Sequence, residues 1–441
     1  MRDAWSGRAG FILASVASAV GLGSIWKFPY EVGANGGAAF VLFYLAGLAL
    51  AVVPLMLAEF AMGRRGGADA ATSLETLAAA HGAARAWALA GALGVLAGAL
   101  ILSFYSVIGG WTLAYAVETL LAGPPPGEPQ AVQARYDALL ASPVRMAAYH
   151  AAFLAVAALV VARGVSRGIE AASKLLMPVL VVLIAALAAY GALQGDLAST
   201  LRFLFRLDFS QFSARGALEA LGLGFFSIGV GFGLMITYAA YAGRDIDLTQ
   251  AAIVSVAVDT AISLLAGFAI FPLVFAHGLD PASGPGLVFV TLPLAFAGMP
   301  LGSAAAAAFY LLLFVAALAS AISMLELAVA PAVRRLGWPR ARAAAALAAA
   351  CFLVGLATVF SFNRWAHWQP TPFEAIDHLT SNIMLPAGGM ALSLFAGWVL
   401  PRALLAEELG LGSRGGAVLH FALRWVTPAL IAAVALGPAV L

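Results

Sequence analysis

Charge is scarce in this chain. Only 10% of its 441 residues are Asp, Glu, Lys or Arg, 21 acidic against 23 basic, for a formal net charge of +2. No basic block or aromatic–basic repeat interrupts this, so the sequence offers nucleic acid no footprint. Cysteine is nearly absent. Cys351 stands alone in an apolar run, which excludes an intrachain disulfide and says nothing about compartment. The six His are scattered without metal-ligand spacing. No nucleophile, base and orienting group are arranged for an enzyme, and the carboxylates read better as ion ligands. The first apolar run lacks a small-residue cleavage site and continues into a glycine-broken stretch, so it is not expected to be a cleaved signal peptide. What the chain does have is apolar surface. With 63% hydrophobic residues and a mean hydropathy of +0.98, soluble domains are excluded and an all-α polytopic membrane protein is expected.

Apolar runs long enough to cross a bilayer predict eleven spans. They fall near 8–33, 38–62, 87–121, 148–163, 170–193, 216–242, 247–276, 302–333, 341–360, 372–400 and 421–441. With the N-terminus inside, sixteen Arg and Lys lie on the cytoplasmic side and six on the outside, with Lys27 within a span. This asymmetry predicts a cytoplasmic N-terminus and an outer C-terminus. The longer outer loops are the Pro-rich segment running to Arg145, 194–215 and 277–301, none of them a separate domain.

The first span is poorly built for an ordinary membrane helix. Residues 5–37, WSGRAGFILASVASAVGLGSIWKFPYEVGANGG, are interrupted by Ser18, Gly21, Gly23 and Ser24 and closed by Lys27 and Pro29. Each glycine costs a helix about 1 kcal/mol, and freed backbone groups are tolerated in the membrane only inside protein or along a cavity. Small residues also let helices approach closely, so this break alone leaves two readings open. A second break, GLGFFSIGVGFG at 222–233, favours a site. Paired interruptions in the two halves of a chain point to a transporter site near the midplane, where carbonyls meet a cation and amides meet an anion. The spacing suggests two five-span repeats of opposite orientation, 1–193 and 216–400, with 421–441 appended.

Ionisable residues within spans cost about 2.5–3.5 kcal/mol at a helix centre and need a partner or a role. There are five: Lys27, Glu59, Asp259, Glu326 and Asp377. Lys27 and Asp377 approach the outer side and form an outer gate pair, or else snorkel to the headgroups. Asp259 shares a helix face with Ser263. It faces a cation, or it is a buried protonated acid. Ser320 adds a hydroxyl to a cation cage or serves a close helix crossing. Tyr105, Phe226 and Phe232 line a pocket or fill the core.

The stretch WSGRAGFILASVASAVGLGSIWKFPY followed by NGGAAF resembles the first-helix signature of the neurotransmitter:sodium symporter family. PLMLAEFAMGRRGG, GVSRGIEAASKLLMP, FFSIGVGFGLMITYAAY, DTAISLLAGFAIFP and DHLTSNIMLPAGG extend the resemblance over nearly the whole chain. It implies a fold like that of bacterial leucine transporters, with five-plus-five inverted repeats and broken first and sixth helices. It also implies a substrate site at Ala19, Gly21, Gly23, Ile101, Tyr105, Phe226, Ser227, Gly229, Phe232, Ser320 and Met324, with Tyr105 bonding the substrate carboxylate. Gly21 stands where monoamine carriers have Asp, which suits a substrate bringing its own carboxylate. Gly229 leaves room for a side chain. A neutral, fairly apolar amino acid of medium to large size follows.

By the same resemblance one sodium ion is held by the carbonyl of Ala19 with Ser24, Ser227 and Asp259. A second takes the carbonyls of Ala17, Val20 and Ala316 and the hydroxyl of Ser320. Two departures weaken these sets: Ser24 stands for the usual Asn, and Ala319 for a Thr or Asp. One or two ions are therefore expected. Tyr44, Ser227 and Ser263 match chloride positions, but Leu223 replaces a Gln and Asp259 already supplies a negative charge, so chloride is not expected to be required. Lys27 replaces the outer-gate Arg opposite Asp377. Arg2 and Trp5 match the inner gate, whose usual acidic partner falls at Arg334. Gly168 and Pro178 reproduce a spacing that lets the start of the fifth helix unwind.

The expected protein is thus a sodium-coupled symporter of a bacterial inner membrane that imports a neutral amino acid by alternating access. A proton-coupled or uncoupled carrier of the same fold, and a non-transporting amino acid receptor, are the alternatives. The lipid bilayer, the amino acid and sodium are the expected partners. Exact substrate, ion stoichiometry and oligomeric state are not legible.

Overall fold

The computed structural model describes residues 4–123, 127–210, 212–281 and 286–440. All regular structure among them is helical. Among the described residues nine helices are long and apolar enough to cross a membrane: α2 (Ala38–Gly66), α4 (Arg85–Ala122), α6 (Pro143–Ala162), α7 (Val165–Gln194), α10 (Leu248–Ala276), α12 (Gly302–Leu336), α13 (Arg340–Ser361), α14 (Pro372–Val399) and α16 (Ser413–Gly437). A tenth span is a bent pair, α1a (Arg8–Ala19) and α1b (Gly23–Ala34), whose halves meet at 51°. The remaining expected span is present as two short helices, α9a (Ala214–Ile228) and α9b (Leu234–Ala239).

Both breaks have local causes. Val20 is extended (φ −76°, ψ 113°), which ends α1a. Across the second break Gly229, Gly231 and Gly233 take φ of 70°, 96° and 80°, a left-handed region that costs other residues about 1–2 kcal/mol each. The backbone freed there finds a fixed partner. Glu59 of α2 is fully buried and accepts the amides of Gly231 (2.6 Å) and Met235 (3.2 Å), placing a carboxylate at the start of α9b.

Five short helices lie in segments expected to be loops: α3 (Ala70–Ala80), α5 (Pro129–Leu140), α8 (Leu197–Phe205), α11 (Leu287–Ala297) and α15 (Arg402–Leu409). Capping starts two of them. Asp69 accepts the Thr72 amide and Asp196 the Ser199 amide. The fourth span begins at Pro143 rather than 148, because Ser142 caps it and Pro143 suits a first turn. The last span begins at Ser413 rather than 421, its first turns too polar to register as apolar.

The unbroken helices form a frame around the broken pair. α12 packs along α4, α10 along α7, and α1a lies against α7, α10 and α12. Glycine permits the tightest approaches: a Cβ at Gly94 of α4 would collide with the Phe232 backbone.

Candidate functional site

The two breaks face each other across a small cavity of about 50 Å³. Gly21, Gly23, Ile101, Tyr105, Phe226, Ser227, Gly229, Phe232, Ser320 and Met324 all line it. Ala19, also expected there, is fully buried and does not line it. Four lining residues escaped sequence reasoning: Ser18, Leu22, Leu234 and Leu385. Leu385 carried a signal, since it lies in the DHLTSNIMLPAGG stretch. The others are neighbours of the breaks and needed the fold to assign them a direction.

The polar end of the cavity is built around the first break. Leu22 donates its amide to the Tyr105 hydroxyl at 3.2 Å. Ser320 of α12 donates to the carbonyl of Val20 at 3.1 Å and, more weakly, to that of Ser18 at 3.5 Å. A Cβ on Gly21 would fall 2.5 Å from Ser320 Oγ and 3.0 Å from the Tyr105 hydroxyl, so glycine is required by space. The opposite wall is apolar, from Ile101, Phe226, Phe232 and Met324. One pocket thus offers a backbone amide, a phenol and a wide apolar wall.

Behind the cavity lies a buried carboxylate among hydroxyls. Asp259 of α10, fully buried, accepts a close hydrogen bond from Ser24 through Oδ1. Its Oδ2 accepts from Ser227 and from Tyr44, both at 3.3 Å. Ser24 and Ser227 also meet at 3.0 Å. The buried Ser263 lies beside Tyr44. Among the described residues no group of three His, Cys, Asp or Glu side chains gathers to hold a metal. The arrangement instead offers one negative charge and several neutral oxygens, the donor set of a hard monovalent cation. Of the second expected set, Ser320 reaches the carbonyl of Val20; Ala17 lies in the last turn of α1a, and Ala316 stands one turn before Ser320 on α12.

The gates differ from expectation. Lys27 and Asp377 do not pair. The Lys27 ammonium sits 4.7 Å from the centre of the Phe226 ring, and Asp377 accepts the Ser381 hydroxyl at 2.9 Å. The aromatic face at the mouth of the cavity is near enough to hold a flexible cation. On the inner side Arg2 lies outside the described residues. Trp5 is buried and donates its indole N–H to the Tyr238 carbonyl at 2.9 Å. Arg334 donates to the Gly67 carbonyl at 2.6 Å, while the buried Glu326 takes the Tyr241 hydroxyl at 2.8 Å and pairs closely with Arg340. The buried Glu170, two residues after Gly168, accepts the Ser6 amide at 2.8 Å and bonds closely to its hydroxyl. Lys174 lies 2.6 Å from the same carboxylate.

A cavity at two helix breaks within a bundle of apolar helices is the arrangement of a membrane transporter's binding site. The comparisons make this specific. The sequence profile of the Sodium:neurotransmitter symporter family matches residues 2–126 and 141–437, and the chain belongs to that family. The chain is 36% identical over 438 residues to the sodium-dependent transporter YhdH of Bacillus subtilis, covering 97% of this chain and 95% of that protein. A sodium-dependent transporter of Methanocaldococcus jannaschii is 32% identical over 427 residues, covering 92% and 84%. The crystal structure of MhsT in complex with L-phenylalanine superposes with a TM-score of 0.91 at 41% identity, over 98% of this chain and 99% of that one. The fold is thus that of MhsT, and the chain is a sodium-dependent secondary transporter of a small molecule.

Proposed function

We propose that this protein is a symporter that uses sodium to import a neutral amino acid with a large apolar side chain, by alternating access. The observation that carries the reading is the convergence of ten expected residues on one cavity at the two helix breaks. The substrate carboxylate meets the backbone at Gly21–Gly23 and the Tyr105 hydroxyl. Its side chain lies among Ile101, Phe226, Phe232 and Met324, beside the space left by Gly229. MhsT was crystallised with L-phenylalanine, an amino acid of the size and polarity this wall suits.

One sodium ion sits with Ser24, Ser227, Asp259, the carbonyl of Ala19 and the substrate carboxylate. A second sits between Ser320, the carbonyl of Ala316 and those of Ala17 and Val20, which remain free of helix bonding near the end of α1a. Asp259 accepts the hydroxyls of Tyr44 and Ser227, with Ser263 beside Tyr44, so fixed negative charge is already present where chloride would sit, and we infer chloride independence. The chain is built from two five-span repeats, 1–193 and 216–400, and one bundle rocks against the scaffold about the site. The last span, expected at 421–441 and beginning at Ser413, stands outside them. The N-terminus is cytoplasmic and the C-terminus outside, in a bacterial inner membrane. Lys27 and Asp377 close the outer side in another state. Trp5, with Arg2, seals the inner side until α7 unwinds between Gly168 and Pro178.

The test is equilibrium binding of labelled phenylalanine, leucine, alanine and glutamate to purified protein, in sodium and in potassium. Sodium-dependent binding that favours phenylalanine and leucine is expected. Equal binding in potassium would sink sodium coupling at this site, and a preference for glutamate would sink the neutral substrate.

A further inference from the structure

Where α14 and α16 cross, an arginine stands against two indoles with no ion-pair partner among the described residues. The Arg424 guanidinium lies 3.9 Å from the centre of the Trp398 ring and 5.8 Å from that of Trp425. The two indoles meet edge to face at 5.0 Å. Trp398 is 50% and Trp425 53% exposed, on a surface shared with Val418 and Phe421, so their free faces are turned to lipid.

The depth of the cluster follows from the packing. Trp398 is the penultimate residue of α14, and its indole N–H donates to the Arg424 carbonyl at 3.3 Å. A Cβ on the neighbouring Gly397 would come 2.8 Å from Arg424 Cα. Arg424 is therefore level with the end of α14, at the edge of the apolar layer. Beyond it lies α15, whose buried Glu408 pairs with Arg64 and Arg65 on the polar side.

The electrostatics are unbalanced at this point. Arg424 belongs to none of the ion pairs among the described residues, and its Nε is buried without a hydrogen bond. A second base lies in the same region, since Arg402 and Arg424 are both within electrostatic reach of His420. A guanidinium at a bilayer edge demands an anion, and one stacked on indoles keeps its N–H edge free for a planar, bidentate acceptor. A phosphate group has that geometry. The lipid-facing indoles supply the apolar neighbour of a headgroup, whereas a free phosphate would have to leave water for an apolar surface.

We propose that Arg424, framed by Trp398 and Trp425, binds the phosphate of an anionic phospholipid headgroup. The test uses purified protein in dodecyl maltoside micelles, titrated with phosphatidylglycerol or phosphatidylcholine carrying brominated acyl chains that quench nearby indoles. Of the nine tryptophans, the signal of this pair is isolated by comparison with a Trp398→Phe/Trp425→Phe variant. Half-quenching is expected at about five-fold less phosphatidylglycerol than phosphatidylcholine, as one basic residue at a membrane surface implies. Arg424→Gln should abolish the difference and Arg424→Lys keep much of it. Inorganic phosphate, against chloride at equal ionic strength, should not displace the lipid. Equal quenching of the wild-type protein by both lipids overturns the proposal, and so does a preference that survives Arg424→Gln. Displacement by inorganic phosphate would assign the site to the free anion instead. The wild-type comparison decides even if Arg424→Gln fails to fold.

Discussion

Replacing Asp259 with Asn tests the ion chemistry with little change of shape. In the wild-type protein three hydroxyls converge on this carboxylate and nothing positive lies among its hydrogen-bond partners. A unit charge 4 Å from a cation is worth about 4 kcal/mol at the effective dielectric of a protein site. Part of that is offset, because Asn still offers the ion a carbonyl oxygen in place of the carboxylate. A net loss of about 2–3 kcal/mol remains, which weakens sodium binding roughly 30- to 150-fold. The same reasoning fixes the sign of a second observable. Without sodium, Asp259→Asn removes an uncompensated buried charge, so the empty protein should be as stable as wild type or more so.

Two measurements on the same preparations suffice. Sodium is titrated against binding of labelled phenylalanine, and thermal unfolding is followed in detergent with and without sodium. The expected result is a large rise in half-saturating sodium, an unfolding midpoint in potassium that does not fall, and a sodium-induced rise in that midpoint smaller than in wild type. A half-saturating concentration within two-fold of wild type would refute the assignment of Asp259 as an ion ligand. A lowered midpoint in potassium would show that the carboxylate serves the fold rather than the cation.

Two further substitutions address the breaks. Gly21→Ala places a methyl group against Ser320 Oγ and the Tyr105 hydroxyl, an overpacking cost of about 1–3 kcal/mol; phenylalanine binding should weaken roughly ten-fold or more, and unchanged affinity would remove Gly21 from the pocket. Glu59→Gln leaves one acceptor for the two amides of Gly231 and Met235, at a cost of about 1–3 kcal/mol; the unfolding midpoint should fall in sodium and in potassium alike, and a fall confined to one salt would mean that Glu59 acts on an ion instead.

The pocket was legible because backbone and side-chain signals coincided there. Glycines at 21, 23, 229, 231 and 233 mark both breaks without any knowledge of packing, and Tyr105, Phe226 and Ser320 gain meaning from the resemblance across those breaks. The short helices were less visible. α3, α5 and α8 cover two or three turns each, and their starts depend on the Asp69 and Asp196 caps of α3 and α8 and on Pro129 at the head of α5 rather than on a long apolar period. Least legible was the choice of partner by each buried or long charged side chain. Lys27 and Asp377 are compatible by charge and side of the membrane, yet Lys27 rests on Phe226 and Asp377 takes the Ser381 hydroxyl. Glu59 makes the general point. A carboxylate within a span implies an electrostatic partner, and the natural search is for Arg or Lys. Its partner is the opened backbone of the sixth span, two amides whose positive ends exist only because three glycines have unwound the helix. One break in the sequence thus accounts for two features that appear unrelated along the chain, an unfavourable helix composition at 229–233 and an unpaired acid 170 residues earlier. Each is costly alone, and each satisfies the other once the fold brings them together.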